Sequence, residues 1–304
     1  MNRLPIRSQL LMFAVIGCIA ITTSNALAQE ETTDESLTLV VMDPLAAPLA
    51  CDCVQGYAQR KYDRLGAFLQ IKLRRPVEVV FGETLQIGME ESGGEADIVI
   101  GKHSVVLDGA GKAELNLQPI AQLTGQDDSV HQTGLLVVRQ GDPAQSVTDL
   151  EGYRIIFGPA DCDEKHAAIM DLLRDSQIAI PDEPEIAGAC SMAAKQLMEL
   201  DSDIPAAAVI SSYAEPLLEG CGNIQKGDLR VVGETQPVPF VTAFVNSRHP
   251  KSVQDSILAA LRDVELDADM LTVLETGSGF VQWQEPESTD AVETSDAESG
   301  AKKN

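Results

Sequence analysis

One pattern constrains this chain more than any other. Short runs rich in Val, Ile, Leu and Ala alternate with stretches whose apolar residues recur at helical spacing. The strand-like runs are 37–42, 77–81, 96–101, 118–123, 133–139, 150–158, 185–188, 206–210, 229–233 and 240–245. Helical periodicity fills 55–73, where Ala58, Tyr62, Leu65, Phe68, Leu69 and Leu73 share a face, and returns at 83–91, 161–173, 192–200, 212–218, 252–264 and 268–274. Strand–helix alternation of this kind builds mostly parallel sheets with helices on both faces. Two breaks interrupt it, Gly141-Asp142-Pro143 and Pro237-Val238-Pro239. Read as paired crossings, they predict an α/β clamshell of two lobes, each a doubly wound sheet flanked by helices. Lobe one would comprise 37–140 plus 240–284 and lobe two 141–239, closing on a ligand between them.

The ends of the chain read differently. Arg3 and Arg7 precede the apolar run 10–21, and Ala26-Leu27-Ala28 forms a small-x-small cleavage site, so 1–28 is expected to be a secretory leader. The apolar run is too short to span a bilayer. Val15-Ile16-Gly17-Cys18 also resembles a lipobox that would leave Cys18 lipidated, but the apolar run continues past Cys18, which favours simple cleavage. Residues 29–36 read as a linker and 285–304 as a disordered acidic tail. The expected location is periplasmic. A formal charge of −25 argues against nucleic acid or an anionic membrane surface as partner.

Ligands of open α/β sheets bind beyond the carboxyl ends of strands. Cys51 and Cys53 follow the first strand, Lys102-His103-Ser104 the third, Cys162 the first strand of lobe two, and Cys190-Ser191 its second, at a helix N-cap position. Lys102 is placed to neutralise an anion. Five of the six cysteines lie beyond residue 28. Export favours disulfides, with Cys162 to Cys190 one candidate pair and Cys51 or Cys53 bridged elsewhere. Alternatively Cys51, Cys53, Cys162 and Cys190 with His103 and His166 would hold zinc or copper, since thiolate and imidazole suit both. A redox role is a third reading. No Gly-x-Ser-x-Gly elbow or His-Glu-x-x-His is present, and no catalysis is expected.

Several segments carry a family resemblance. Residues 96–101, the stretch Ser146-Val147-Thr148-Asp149-Leu150-Glu151-Gly152-Tyr153-Arg154-Ile155-Ile156-Phe157-Gly158-Pro159, the run Ala207-Ala208-Val209-Ile210, and residues 229–239 occur in order at suitable spacing. Together they resemble the phosphate/phosphonate-type periplasmic substrate-binding proteins of ABC transporters, across most of 37–264. The resemblance implies the type 2 periplasmic-binding-protein fold and a monomer that takes a small phosphate- or phosphonate-like molecule. It further implies delivery to an importer permease or a periplasmic partner. It places anion contacts at hydroxyls and backbone N–H groups of helix N-termini, here near Thr84, Ser104, Thr133 and the segment 160–166. That last segment departs from the family pattern. Asp161, Cys162, Asp163 and Glu164 stand in place of a Ser/Thr-rich loop, and carboxylates in a closed cleft repel an anion.

Overall fold

The computed structural model of the protein describes residues 36–50, 58–220, 222 and 224–285. The expected leader, Cys18, Cys51, Cys53, Cys221, residues 29–35 of the linker and the tail from residue 286 lie outside the described residues.

From the amino-terminal side, β1 (Leu37–Met42) leads to α1 (Tyr62–Leu73), β2 (Val77–Phe81), α2 (Leu85–Glu91), β3 (Ile98–Lys102), α3 (His103–Lys112) and β4 (Leu117–Leu123). A two-residue strand, β5 (His131–Gln132), precedes β6 (Gly134–Arg139) and β7 (Arg154–Phe157). A single 3-10 turn, Asp163–Lys165, then opens α4 (Ala167–Asp175), followed by β8 (Glu185–Ile186), α5 (Cys190–Glu199), β9 (Ala206–Ser211), α6 (Glu215–Gly220) and β10 (Leu229–Glu234). The chain returns through β11 (Val238–Pro239) to β12 (Val241–Asn246), α7 (Lys251–Arg262), α8 (Ala268–Val273) and β13 (Phe280–Gln282).

Two sheets result. One is ordered β13-β4-β12-β3-β1-β2 and the other β10-β6-β9-β7-β8. Each contains the same parallel unit: β1 pairs with both β2 and β3, and β7 with both β8 and β9. The chain therefore reverses its winding beside β1 in one sheet and beside β7 in the other, where open α/β sheets bind ligands. Period-2 alternation separates the two faces of each sheet. Leu37, Leu39 and Val41 pack under Tyr62, Leu65, Ile257 and Leu261, while Val40 and Met42 face Leu85 and Val106. In the second sheet Ala206, Ala208 and Ile210 meet Ala194 and Leu197, and Ala207 and Val209 meet Ile169 and Leu173. β1, β3, β9 and β12 are buried along their whole length, as strands covered on both faces must be.

The crossings lie elsewhere than the breaker residues suggest. The strand at 134–139 belongs to the second sheet, antiparallel to β9 and β10, whereas the sequence reading kept lobe one running to residue 140. The outward crossing thus runs through 124–133. Its β5 pairs antiparallel with β11 of the return crossing, Gln132 against Val238 and His131 against Pro239. Gly141-Asp142-Pro143 is a turn within the second unit. A Gly-Pro cluster marks a reversal but does not say which sheet the neighbouring strand joins.

Candidate ligand-binding site

The carboxyl ends of β1 and β3 face those of β7 and β9 across a cavity of about 610 Å³. Lobe one contributes Met42, Leu45, Thr84, Lys102 and Val105 to its wall, and lobe two Asp161, Cys162, Lys165, Ser191 and Tyr213.

Lys102 ends β3. Its ammonium forms a buried ion pair with Glu164, which sits in the 3-10 turn after β7, so the pair joins the two lobes. Ser211, the last residue of β9, donates to the same carboxylate oxygen at 2.6 Å. Glu164 Oε2 has no hydrogen-bond partner among the described residues. Burial alone would drive the lysine toward its neutral form, but the Glu164 carboxylate outweighs it and Lys102 is held more firmly protonated than usual. Burial likewise opposes the Glu164 charge, and Lys102 overcomes that too, holding the carboxyl below its ordinary range. Both groups are therefore ionised, a stable arrangement only while the partner is present. The Tyr213 ring lies 6.0 Å from the Lys102 ammonium and stacks on Phe240 at 4.9 Å.

Lys165 differs from Lys102. It is 5 % exposed and lies on the cavity wall. Its stem passes over Gly158, where a Cβ would meet Lys165 Cβ at 2.4 Å, so only glycine allows that approach. Among the described residues nothing hydrogen-bonds or ion-pairs with its ammonium. That ammonium is not among the fully buried polar atoms lacking a partner, so it opens to the cavity, and its charge acts on the neighbouring Glu164.

The predicted site residues separate into three groups. Thr84, Lys102, Cys162 and Ser191 do reach the cavity. Thr84 Oγ1 also caps α2 by accepting from Ile87 N at 3.3 Å. Ser104 bridges the lobes, donating to Asp161 O at 2.7 Å and accepting from Asp163 N at 3.2 Å. His103 and Thr133 are committed elsewhere. The His103 ring stacks on Trp283 at 4.6 Å, with Nδ1 3.1 Å from Thr242 Oγ1. Burial lowers its pKa to about 4, against the opposing charge of Glu285, so the ring is neutral near pH 7 and supplies no cation. Thr133 donates to Glu234 at 2.7 Å on the exposed crossing.

The cysteine expectations need correcting. Cys162 and Cys190 are both free thiols. Cys190 Sγ accepts from Ser211 N at 3.3 Å and donates to Ser211 Oγ at 3.6 Å, so its sulfur is held on β9. Burial raises the Cys162 pKa despite Lys102 and Lys165 nearby. No cluster of three or more metal-ligating side chains occurs among the described residues. His166 Nδ1 pairs with Gly158 O at 2.9 Å, and His103 is turned to Trp283. The zinc or copper reading finds no support, and Cys51 and Cys53 lie outside the described residues.

Sequence reasoning missed the triad that shapes the turn after β1. Asp43 Oδ2 accepts from Arg60 Nη1 at 2.8 Å and from Tyr62 OH at 2.5 Å, while Oδ1 accepts from Leu45 N at 2.9 Å. Arg60 is 3 % exposed and also donates Nε to Leu274 O at 3.1 Å. The available signal is an Asp-Pro at a strand end, with Arg and Tyr two residues apart downstream.

A two-lobed α/β frame, crossing strands paired between the lobes and a cavity at both switch points define a solute-binding protein of the type 2 periplasmic class. The ABC-transporter phosphonate periplasmic substrate-binding family matches residues 55–291, and the chain belongs to that family. Proteins of this family bind small solutes and work with ABC transporter permeases. Among solved structures, XAC2383 from Xanthomonas citri bound to ATP superposes with TM-score 0.60 at 15% identity, covering 82% of this chain and 92% of its own. PhnD1 from Prochlorococcus marinus in complex with methylphosphonate gives TM-score 0.60 at 12% identity, over 83% of this chain and 94% of its own. A binding component of an ABC phosphonate transporter from Pseudomonas aeruginosa gives 0.60 at 11%, over 82% of this chain and 81% of its own. At these identities the likeness is one of fold. No curated protein sequence matches the chain. Among the described residues no helix is long and apolar enough to cross a membrane.

Proposed function

We propose that the chain is an exported receptor that seats a small phosphonate-like anion in the inter-lobe cavity and delivers it to an importer permease. It acts as a monomer, without catalysis and without nucleic acid, after loss of residues 1–28. Residues 36–123 with 241–285 serve as one lobe and 134–234 as the other, hinged on the paired crossings. The observation that carries the reading is Lys165, whose buried stem brings an ammonium to the cavity wall with no hydrogen bond or ion pair among the described residues. A bound anion would pair with it. Met42, Leu45 and Val105 give the cavity an apolar side, which suits an organic substituent better than a bare inorganic ion.

Isothermal titration with methylphosphonate tests this. Saturable one-to-one binding is expected, weakened at least about tenfold in Lys165→Met, which keeps the packed stem and removes the charge. Absence of saturable binding by methylphosphonate, phosphate and methanesulfonate alike would refute the anion seat.

A further inference from the structure

The cavity has two lysines on its wall, but only one is available to a ligand. Lys102 is already neutralised by Glu164. Glu164 is held there by three independent features. Its carboxylate is fully buried, Ser211 at the end of β9 donates to it at 2.6 Å, and its backbone oxygen sits against Gly134, where a Cβ would come within 1.8 Å. Burial and the Ser211 bond hold the carboxylate, and the Gly134 contact holds the turn that carries it. With Lys102 and Glu164 cancelling, Lys165 is the one lysine of the wall left without an ion pair, and Glu83 and Asp161 add two carboxylates to the same wall.

We propose that Glu164 sets the charge of the ligand: it occupies Lys102 as a built-in carboxylate, so that the cleft selects a singly charged tetrahedral anion over a doubly charged one. A phosphonate monoester, a sulfonate or a singly ionised phosphonate fits this class. A second negative charge would meet no free cation and would lie beside the Glu164 carboxylate in a poorly solvated space, where like charges repel strongly. This rests on the anion seat proposed above. It concerns which anion is chosen, and Glu164 acts through Lys102 as a specificity-determining residue.

The test uses two tetrahedral anions of similar size, methanesulfonate with one charge and methylphosphonate with two, titrated at a pH about two units above the second ionisation of the phosphonate. The wild-type protein should favour methanesulfonate. Glu164→Gln frees Lys102 and should shift the ratio toward methylphosphonate by at least about tenfold. Lys102→Met/Glu164→Gln removes both charges together, which buried pairs tolerate far better than loss of one partner. It gives a folded reference should the single variant fail to fold. Its ratio should return to the methanesulfonate side, with lower absolute affinities. A wild-type preference for doubly charged methylphosphonate of about tenfold or more would overturn the proposal. So would a ratio unchanged by Glu164→Gln while binding persists. Failure of every chain to bind either anion is a different result, because it removes the anion seat itself and this inference with it.

Discussion

Gly134 opens β6 and lies against the turn that carries Glu164. A Cβ there would stand 1.8 Å from Glu164 O and 2.9 Å from Glu164 C, whereas real Cβ contacts essentially never fall below 3.0 Å. Gly134→Ala must therefore move something by at least 1.2 Å, the difference between those two distances. The strand is the stiffer partner. Gly134 is paired with Ser211 in the ladder, accepts from Thr235 N at 3.0 Å and donates to Thr235 Oγ1 at 2.8 Å. The Asp163–Lys165 turn is the part that gives way, carrying Glu164 away from Lys102 and Ser211. Overpacking of a tight site costs about 1–3 kcal/mol, and loosening hydrogen bonds to a charged group adds roughly 1.5–3 kcal/mol. A total near 4 kcal/mol corresponds to a fall in Tm of about 8–16 °C for a chain of this size. Thermal denaturation against Gly141→Ala provides the control, since a Cβ at Gly141 meets nothing within 4 Å and should change stability by about 0.5 kcal/mol or less. A loss below about 1 kcal/mol for Gly134→Ala would refute the idea that β6 fixes the Glu164 turn.

Arg60→Met strands the Asp43 carboxylate, which is 0 % exposed, and should cost about 3–5 kcal/mol by chemical denaturation; a loss under about 1 kcal/mol would contradict a buried charge pair. The pKa of His103 falls from an ordinary 6.5 to about 4 on folding, so the unfolded chain binds more protons between those values. Its stability contribution is complete above about pH 6.5 and declines as pH falls toward 4, by about 1–2 kcal/mol once partial exposure is discounted. The sole tryptophan, Trp283, stacks on this ring, so its native-state fluorescence should titrate with a midpoint near 4, and a midpoint near 6.5 would count against the buried stack. Peptide mapping under non-reducing conditions should find no bridge between Cys162 and Cys190. The Cys162 thiol, pushed up by burial, should react with a thiol reagent at least about tenfold more slowly in the native than in the unfolded protein.

Much of the frame was legible because apolar runs and helical periodicity depend on burial alone. β1 and β2 fall on the predicted runs, as do α7 and α8 to within a residue or two. α3 was not anticipated. Its residues include Gly109 and Gly111, which weaken helix propensity, and only Val106 and Ala110 are buried along it. Tertiary packing creates that helix, because a Cβ at Gly109 would already touch Leu85 Cβ at 2.9 Å. At the site, positions were easier to read than partners. Strand ends located Lys102, Ser104, Cys162 and Ser191, yet the same logic assigned His103 to the cleft. Whether a side chain at a strand end turns toward the partner lobe or back onto its own depends on neighbours such as Trp283, 180 residues away in sequence. The carboxylates of 160–166 were visible as a departure from the family pattern. That one of them cancels a lysine of the other lobe is a pairing across 62 residues that no local motif encodes.

The inter-lobe ion pair also bears on how closure can work. A ligand shifts an open–closed equilibrium only through contacts it makes better in one state. Lys102–Glu164 and the Ser104 contacts to Asp161 and Asp163 join the lobes using the chain's own groups. Opening the cleft would separate the pair, but it would also return both charges to water. The Coulombic loss is then largely offset by recovered hydration, unlike removal of one partner by mutation, which leaves the other buried and alone. The pair therefore adds little net stability to the closed state, and what it contributes is register between the lobes. That alignment brings Lys165 to the wall of the same cavity without an ion pair of its own. A ligand that neutralises Lys165 in the closed cleft gains energy there that the open, solvated lysine would not give. This difference between the two states is what can couple binding to closure.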